Sequence, residues 1–271
     1  MRYADLHLHT YHSDGTRSPR EVIDLARERG LEIVAISEHD NIAAFFEIKP
    51  HADAVGVQLI PAIELSCGFE GVDVHVLAYA FDPTDERIEE RLRGFRDLRH
   101  RRGYAIVERL RSLGYDISAE RVDQLAAGGA MGRPHVARAL VEAGYVSSVA
   151  EAFDKFLGTG KPAFIDKARF RIDDAVALIH SAGGVTSIAH PVHYPNSFEL
   201  VPRLLDLGID GVEVFHPDVP EADRERYANL ARFRGKMITG GSDDHGTVKT
   251  SETLGTIKVP ETLLGPILER M

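Results

Sequence analysis

The sequence predicts an α/β fold: a mainly parallel sheet, open or closed into a barrel, interrupted by a helical insert. Three observations carry this expectation. Short apolar runs alternate with helix-periodic segments at both ends of the chain, a long middle stretch has no convincing strand, and His or acidic residues recur where the runs end. Repeated strand–helix alternation implies parallel strands, because each parallel neighbour is reached through a crossover helix.

The elements follow in order. Residues 3–9 alternate in character and read as a strand. Ser18-Pro19 supplies an N-cap and a first-turn proline for a helix carrying Val22, Ile23, Leu25 and Ala26, which Gly30 stops. Strand-like runs occupy residues 33–37, 57–65 and 72–80. In the middle, Ile88, Leu92 and Phe95, then Ile106, Val107, Leu110 and Leu113, follow helical spacing. A further helix begins at Gly132-Arg133-Pro134, with Val136, Ala137, Leu140 and Val141 as its apolar stripe. The alternation then returns, with helices near 172–182, 198–207 and 222–233 and strands at 185–189, 209–215 and 236–240. The expected organisation is a first part of the α/β domain (1–84), a helical insert (85–164) and a second part of the α/β domain (165–271).

Composition narrows the function classes. The 271 residues are 44% hydrophobic and 27% charged, ordinary for a soluble globular chain with a sizeable core. No apolar run has transmembrane length and the His-rich first residues are no signal peptide, so a cytoplasmic protein with no membrane role is expected. No stable protein partner is evident. The single cysteine, Cys67, excludes an internal disulfide and a thiolate zinc site. Formal net charge is -10, so the overall field does not attract an anion. A phosphate-bearing substrate must then be held by local cations or bound metal. Thirteen histidines are the informative excess.

Those histidines fall into a pattern. His7 and His9 lie two apart on the first strand and so share a face. Asp14 follows in the next loop. The second strand runs into Ser37-Glu38-His39-Asp40, the third carries Glu64 and the fourth carries His75. Late in the chain come Ala189-His190-Pro191 and Ser242-Asp243-Asp244-His245. Any one of these alone is more simply a hydrogen-bonded surface or core residue. Their recurrence at strand ends changes the balance, since burying so many imidazoles and carboxylates together without cations is costly. Mixed imidazole and carboxylate donors suit Mn²⁺, Fe²⁺ or Zn²⁺ better than Ca²⁺. Several such ions activate water for in-line attack at phosphorus. The expected cofactors are two or three divalent ions, Mn first, with Fe or Zn as alternatives.

The set His7-x-His9, Glu38-His39-Asp40, Glu64, His75, His190-Pro191 and Ser242-Asp243-x-His245 resembles the PHP (polymerase and histidinol phosphatase) family. The motifs run in order along nearly the whole chain. The resemblance implies a distorted seven-stranded (β/α)7 barrel and three metal positions: His7, His9, Glu64 and Asp243; Glu64, His75 and His190; Asp14, His39 and His245. Glu38 stands where the family usually has Asp, and it is not expected to be a direct ligand. Gly132-Arg133-Pro134-His135 and Gly158-Thr-Gly-Lys161-Pro162 look like the nucleotide-phosphatase branch. That branch removes the 3′-phosphate of nucleoside 3′,5′-bisphosphates, and some members trim short RNA, so a small nucleotide or short RNA is the expected partner.

The remaining candidates follow from the same comparison. Arg133, at a helix N-terminus, is read as a phosphate contact joined by His135. Lys161 is a second phosphate contact, with a solvated turn as an equal alternative; no Ser or Thr follows it, which excludes a Walker loop. His193 stands where relatives often carry Arg and is the candidate proton donor to the leaving oxygen, with His216 in reserve. Nine arginines lie between residues 87 and 111; a solvated face paired with nearby acids is preferred to a wall for RNA. The competing functions are a small-metabolite phosphatase of the histidinol-phosphate type and a degenerate, non-catalytic module.

Overall fold

The computed structural model describes residues 1–126, 131–166, 168–248 and 252–271. Ten strands form two sheets. The first has the order β10 (Val259–Pro260), β1 (Tyr3–Leu8), β2 (Ile33–Ile36), β3 (Gln58–Ile60). The second runs β6 (Phe170–Arg171), β4 (Ala62–Phe69), β5 (Val72–Tyr79), β7 (Val185–Ile188), β8 (Gly211–Phe215), β9 (Met237–Gly240).

Backbone hydrogen bonds stitch the two sheets together at strand ends. Asp243 N–H donates to His7 O (2.8 Å) and His9 N–H to Asp244 O (3.0 Å), joining the end of β9 to β1. Glu64 N–H donates to Glu38 O (3.0 Å) and Asp40 N–H to Glu64 O (3.1 Å), joining the end of β2 to β4. The circuit β1-β2-β4-β5-β7-β8-β9 therefore returns to β1 through seven strands. It is distorted because only strand ends meet at the two seams. This is the expected α/β barrel.

Two details differ from the sequence expectation. The run at 57–65 is two strands: Pro61 donates no backbone hydrogen bond, and the chain there passes from the first sheet to the second. β5 is antiparallel to both β4 and β7, forming a tight hairpin with β4 where a crossover helix would otherwise stand. His75 is thus presented from a reversed strand, not from a strand's C-terminal end.

Helices α1 (Pro19–Glu28), α2 (Ala43–Val55), α7 (Ile172–Ser181), α8 (Ser197–Leu205) and α9 (Glu221–Phe233) cover the strands. The cap of α1 is the expected one: the Ser18 side chain accepts from Glu21 N–H while the Glu21 carboxylate accepts from Ser18 N–H. Outward-facing Val34, Val76, Val212 and Val214 pack with Val22, Ile48, Val176 and Val201 of these helices in the main core. A smaller cluster, including Leu6, Ile33, Leu77 and Val185, packs against Val259, Leu264 and Ile267 of the C-terminal segment.

Between β5 and β6 the chain forms α3 (Glu86–Ser112), α4 (Ala119–Leu125), α5 (Arg133–Glu142) and α6 (Val149–Ala152), the last continuing through a π turn at Phe153–Leu157. The 27-residue α3 serves two cores. Ile88, Leu92 and Phe95 join the barrel core, whereas Ile106, Val107 and Leu110 pack with Val122, Val136, Leu140 and Phe156 in a core of the helical unit's own. Leu113, expected on the apolar stripe, is exposed.

Candidate metal centre

Barrel closure at the strand ends brings the predicted ligands into one cluster. β1 delivers His7 and His9, the turn after β2 delivers His39, and β4 and β5 deliver Glu64 and His75. His190 follows β7, and Asp243 and His245 follow β9. The backbone is strained where this happens. Asp40, His190 and Asp243 have φ of 50°, 25° and 47°, a region that non-glycine residues avoid at a cost of about 1–3 kcal/mol each. All three lie just beyond a strand's C-terminal end, so the distortion is concentrated at the cluster.

Glu64 is the centre. Its Oε2 lies 3.0 Å from His39 Nδ1, 3.3 Å from His9 Nε2 and 3.4 Å from His7 Nε2. Its Oε1 meets His75 Nδ1 at 2.8 Å and His190 Nε2 at 3.0 Å. Asp243 Oδ1 stands 3.3 and 3.2 Å from the same His7 and His9 nitrogens. Asp14 lies beside His245 Nε2 (3.2 Å) and His39 Nε2 (3.7 Å). Each of His9, Asp14, His39 and His245 offers an atom within 4.8 Å of the others, as do His7, His9 and Asp243, and His39, Glu64 and His75.

The electrostatics show what this arrangement lacks. Burial alone would raise the Glu64, Asp14 and Asp243 pKa values, yet the surrounding histidines hold all three well below the ordinary carboxylate range. Burial opposes protonation of His9, but Asp243 and Glu64 outweigh it and push its pKa up to about 10; His7 and His190 are raised for the same kind of reason. Metal-free, the cluster stays together by holding protons. Even so, His7 Nε2, His9 Nε2, His39 Nδ1 and Glu64 Oε2 are buried with no hydrogen-bond partner among the described residues. Buried polar atoms without partners are costly. Divalent cations fit these converging imidazole and carboxylate donors and remove that cost.

Supporting residues hold the donors. Tyr194 accepts from His75 N–H (3.0 Å) and donates to Ala189 O (2.8 Å). Glu38, 4.0 Å from His9 Nδ1, accepts from Thr10 N–H (3.0 Å), Thr10 Oγ1 and Ser13 Oγ, holding the loop that carries Asp14. Glu213, on β8, contacts His7 and His190. Asp40 accepts from Ser66 N–H (2.9 Å) and lies 2.5 Å from Arg99 Nη2. Sequence reading passed over Glu213, Tyr194 and Arg99. Glu213 had a signal, being an acidic residue inside an apolar strand; Arg99 had none, as one of nine arginines on a charged helix.

The other predicted site residues divide into two groups. His193 and His216 lie at the cluster's edge. His216 is buried, its Nδ1 accepting from Asp218 N–H (3.1 Å) and its Nε2 3.5 Å from Asp243 Oδ2. His193 is half exposed, with Nε2 3.1 Å from Asp218 Oδ2; burial and the nearby His190 and His216 lower its pKa. His135 is buried, accepts from Gly132 N–H (3.0 Å) and bonds the Ser13 backbone, tying α5 to the Asp14 loop. A cavity of about 30 Å³ there is lined by Asp14, His39, Arg99, Pro134 and His135. Arg133 and Lys161 have partners within the helical unit instead. Arg133 donates to Leu157 O (3.2 Å) between the Phe153 and Phe164 rings, and Lys161 pairs with Asp154 (3.1 Å).

An α/β barrel gathering nine His and acidic donors at its strand ends is the architecture of a metal-dependent hydrolase. Residues 5–159 match the model of the PHP domain. The chain belongs to the PHP family and is a metal-dependent phosphoesterase. It is 34% identical over 245 residues to the 5′-3′ exoribonuclease of Haemophilus influenzae, covering 89% of each chain. It is 30% identical over 267 residues to the 3′,5′-nucleoside bisphosphate phosphatase of Chromobacterium violaceum, covering 94% of this chain and 91% of that one. A candidate metal-dependent phosphoesterase of solved structure from Bifidobacterium adolescentis superposes with a TM-score of 0.90 at 33% identity, over 98% of this chain and 96% of that one.

Proposed function

We propose that the protein hydrolyses the 3′-phosphate of nucleoside 3′,5′-bisphosphates. The observation that carries this is the cavity joining the donor cluster to the helical unit. Asp14 and His39 stand on one side, and Arg99 and the start of α5 on the other. Arg99 is anchored through one nitrogen, Nη2, to Asp40 and Ser66; its Nε and Nη1 have no recorded partner among the described residues. A guanidinium presented in this way matches a phosphate oxygen pair.

In this reading His7, His9, Glu64 and Asp243 hold one ion. Glu64, His75 and His190 hold a second, and Asp14, His39 and His245 a third. Bound there, divalent ions supply activated water and charge neutralisation at phosphorus. Manganese is the first choice and iron or zinc the alternatives, since imidazole and carboxylate donors suit all three. The chain's own residues do the rest. Arg99 steadies the equatorial oxygens of the phosphoryl group. Arg133, at the N-terminus of α5, and Lys161, in the Gly158–Lys161 turn, face the substrate's second phosphate. His135 keeps α5 against the Asp14 loop. His193, with His216 behind it, delivers a proton to the departing ribose oxygen, and Asp218 orients it.

A second reading, trimming of short 5′-phosphorylated RNA, is favoured by the exoribonuclease relative. The deciding experiment measures phosphate and nucleotide release with Mn²⁺ from adenosine 3′,5′-bisphosphate, AMP, histidinol phosphate and 5′-phosphorylated oligoribonucleotides. The bisphosphate is expected to give the highest kcat/KM among the monoesters. Preference for histidinol phosphate would overturn the proposal.

A further inference from the structure

We propose that Glu213 is a positioning residue that sets two metal-holding histidines at once, His7 through its ring and His190 through its backbone. Glu213 sits in the middle of β8, fully buried. Its neighbours Val212 and Val214 point out into the main core, so period-2 alternation turns Glu213 inward. Oε1 lies 2.9 Å from His7 Nδ1, and Oε2 accepts the His190 N–H at 2.6 Å.

Each contact has a consequence. A carboxylate only accepts, so His7 keeps a hydrogen on Nδ1, and Nε2, which faces Glu64 and Asp243, is the nitrogen that would give up its proton to hold metal. The His190 N–H bond helps hold a residue whose φ of 25° is strained, and that strained turn aims Nε2 at Glu64 (3.0 Å). His7 and His190 belong to different proposed metal positions. One side chain therefore fixes the relative placement of two ions, which in-line displacement requires.

The chemistry is specific to glutamate. Glutamine is isosteric, but its amide offers one accepting and one donating end, and both partners here are N–H groups. It can satisfy either His7 or His190, leaving an N–H facing an N–H at the other. Aspartate is one methylene too short to reach both. A role in packing alone would be met equally well by glutamine.

The inference rests on the metal reading above, and the test separates the two. Wild type and Glu213→Gln, both metal-free, are titrated with Zn²⁺ against a chromophoric chelator. Melting of the metal-free proteins and kcat and KM of the loaded enzymes are measured alongside. Glu213→Gln should fold but melt below wild type, because one buried N–H loses its acceptor, bind zinc roughly 10–100-fold more weakly and lose kcat with little change in KM. If wild type itself takes up no zinc, the metal reading fails. If wild type binds and Glu213→Gln matches it in affinity and kcat, the inference is overturned. Should the variant not fold, imidazole ¹⁵N shifts of the zinc-loaded wild type decide: His7 protonated at Nδ1 and ligated through Nε2 supports the role, and ligation through Nδ1 refutes it.

Discussion

The barrel rim and the helical unit satisfy their charges in opposite ways. On the surface of the helical unit, exposed charged side chains pair with one another: Arg121 with Glu142 (2.8 Å), Lys155 with Glu151 (2.5 Å), Lys161 with Asp154 (3.1 Å). Such pairs each contribute about 0–1 kcal/mol and call for no metal ion. At the rim, Glu64, Asp243, His7 and His9 are buried, and Glu64 Oε2, His7 Nε2 and His9 Nε2 converge without a hydrogen-bond partner among the described residues. The rim's converging donors are completed by cations. In the proposed reading the barrel carries the chemistry and the helical unit the substrate contacts, with Arg99 crossing between them.

Substitutions can break or sharpen that division. The largest effect is expected at Glu64, which touches five histidines. Glu64→Gln should lower kcat by about 1000-fold or more, since it removes the shared carboxylate of two metal positions and several kcal/mol of charge stabilisation. Metal analysis of the purified variant should show ions lost. Arg99→Ala should lower kcat/KM by roughly 100-fold, within the range for deleting one charge-stabilising donor, while bound metal stays at the wild-type level. Loss of metal from Arg99→Ala would place Arg99 in the metal centre and blur the two regions. The smallest effect belongs to His193, and it depends on the leaving group. His193→Asn should cost on the order of 10- to 100-fold with ribose-like alkoxide leaving groups and far less with p-nitrophenolate, which needs little protonation. Equal losses on both substrates would remove His193 from that role.

Much of the rim was readable from the residues alone, because ligand chemistry is written in residue type and strand periodicity in spacing. The His7–His9 pair, His190-Pro191 and the Asp243–His245 pair each fall where an apolar run stops, and the structure brings them together. What escaped depends on the third dimension. α2 lacks a side-chain N-cap and carries Pro50 internally, so neither its start nor its pattern announces a helix. The reversal of β5 and the break at Pro61 follow from sheet pairing that local patterns do not contain. Glu213 stands out in sequence as an acid inside an apolar strand, but the partners of its two oxygens, His7 and His190, are distant in the chain. The helical unit's residues were less readable still. Arg133 and Lys161 were picked out by resemblance, whereas Arg99 is brought to the rim by packing of α3.

The central claim is that the rim cluster is a multi-ion site held together by protons when metal is absent. Sign and size can be read in one experiment: calorimetric titration of metal-free protein with Mn²⁺ in two pH 7 buffers of different ionisation enthalpy. His9, with a pKa near 10, is protonated at that pH and must lose a proton to bind metal, and the carboxylates shift His7 and His190 in the same direction, so affinity should also rise with pH until His9 is neutral. The expected result is two to three ions per chain, as the three proposed positions require, with net proton release. Binding of fewer than one ion per chain, or binding with no proton release, would contradict it.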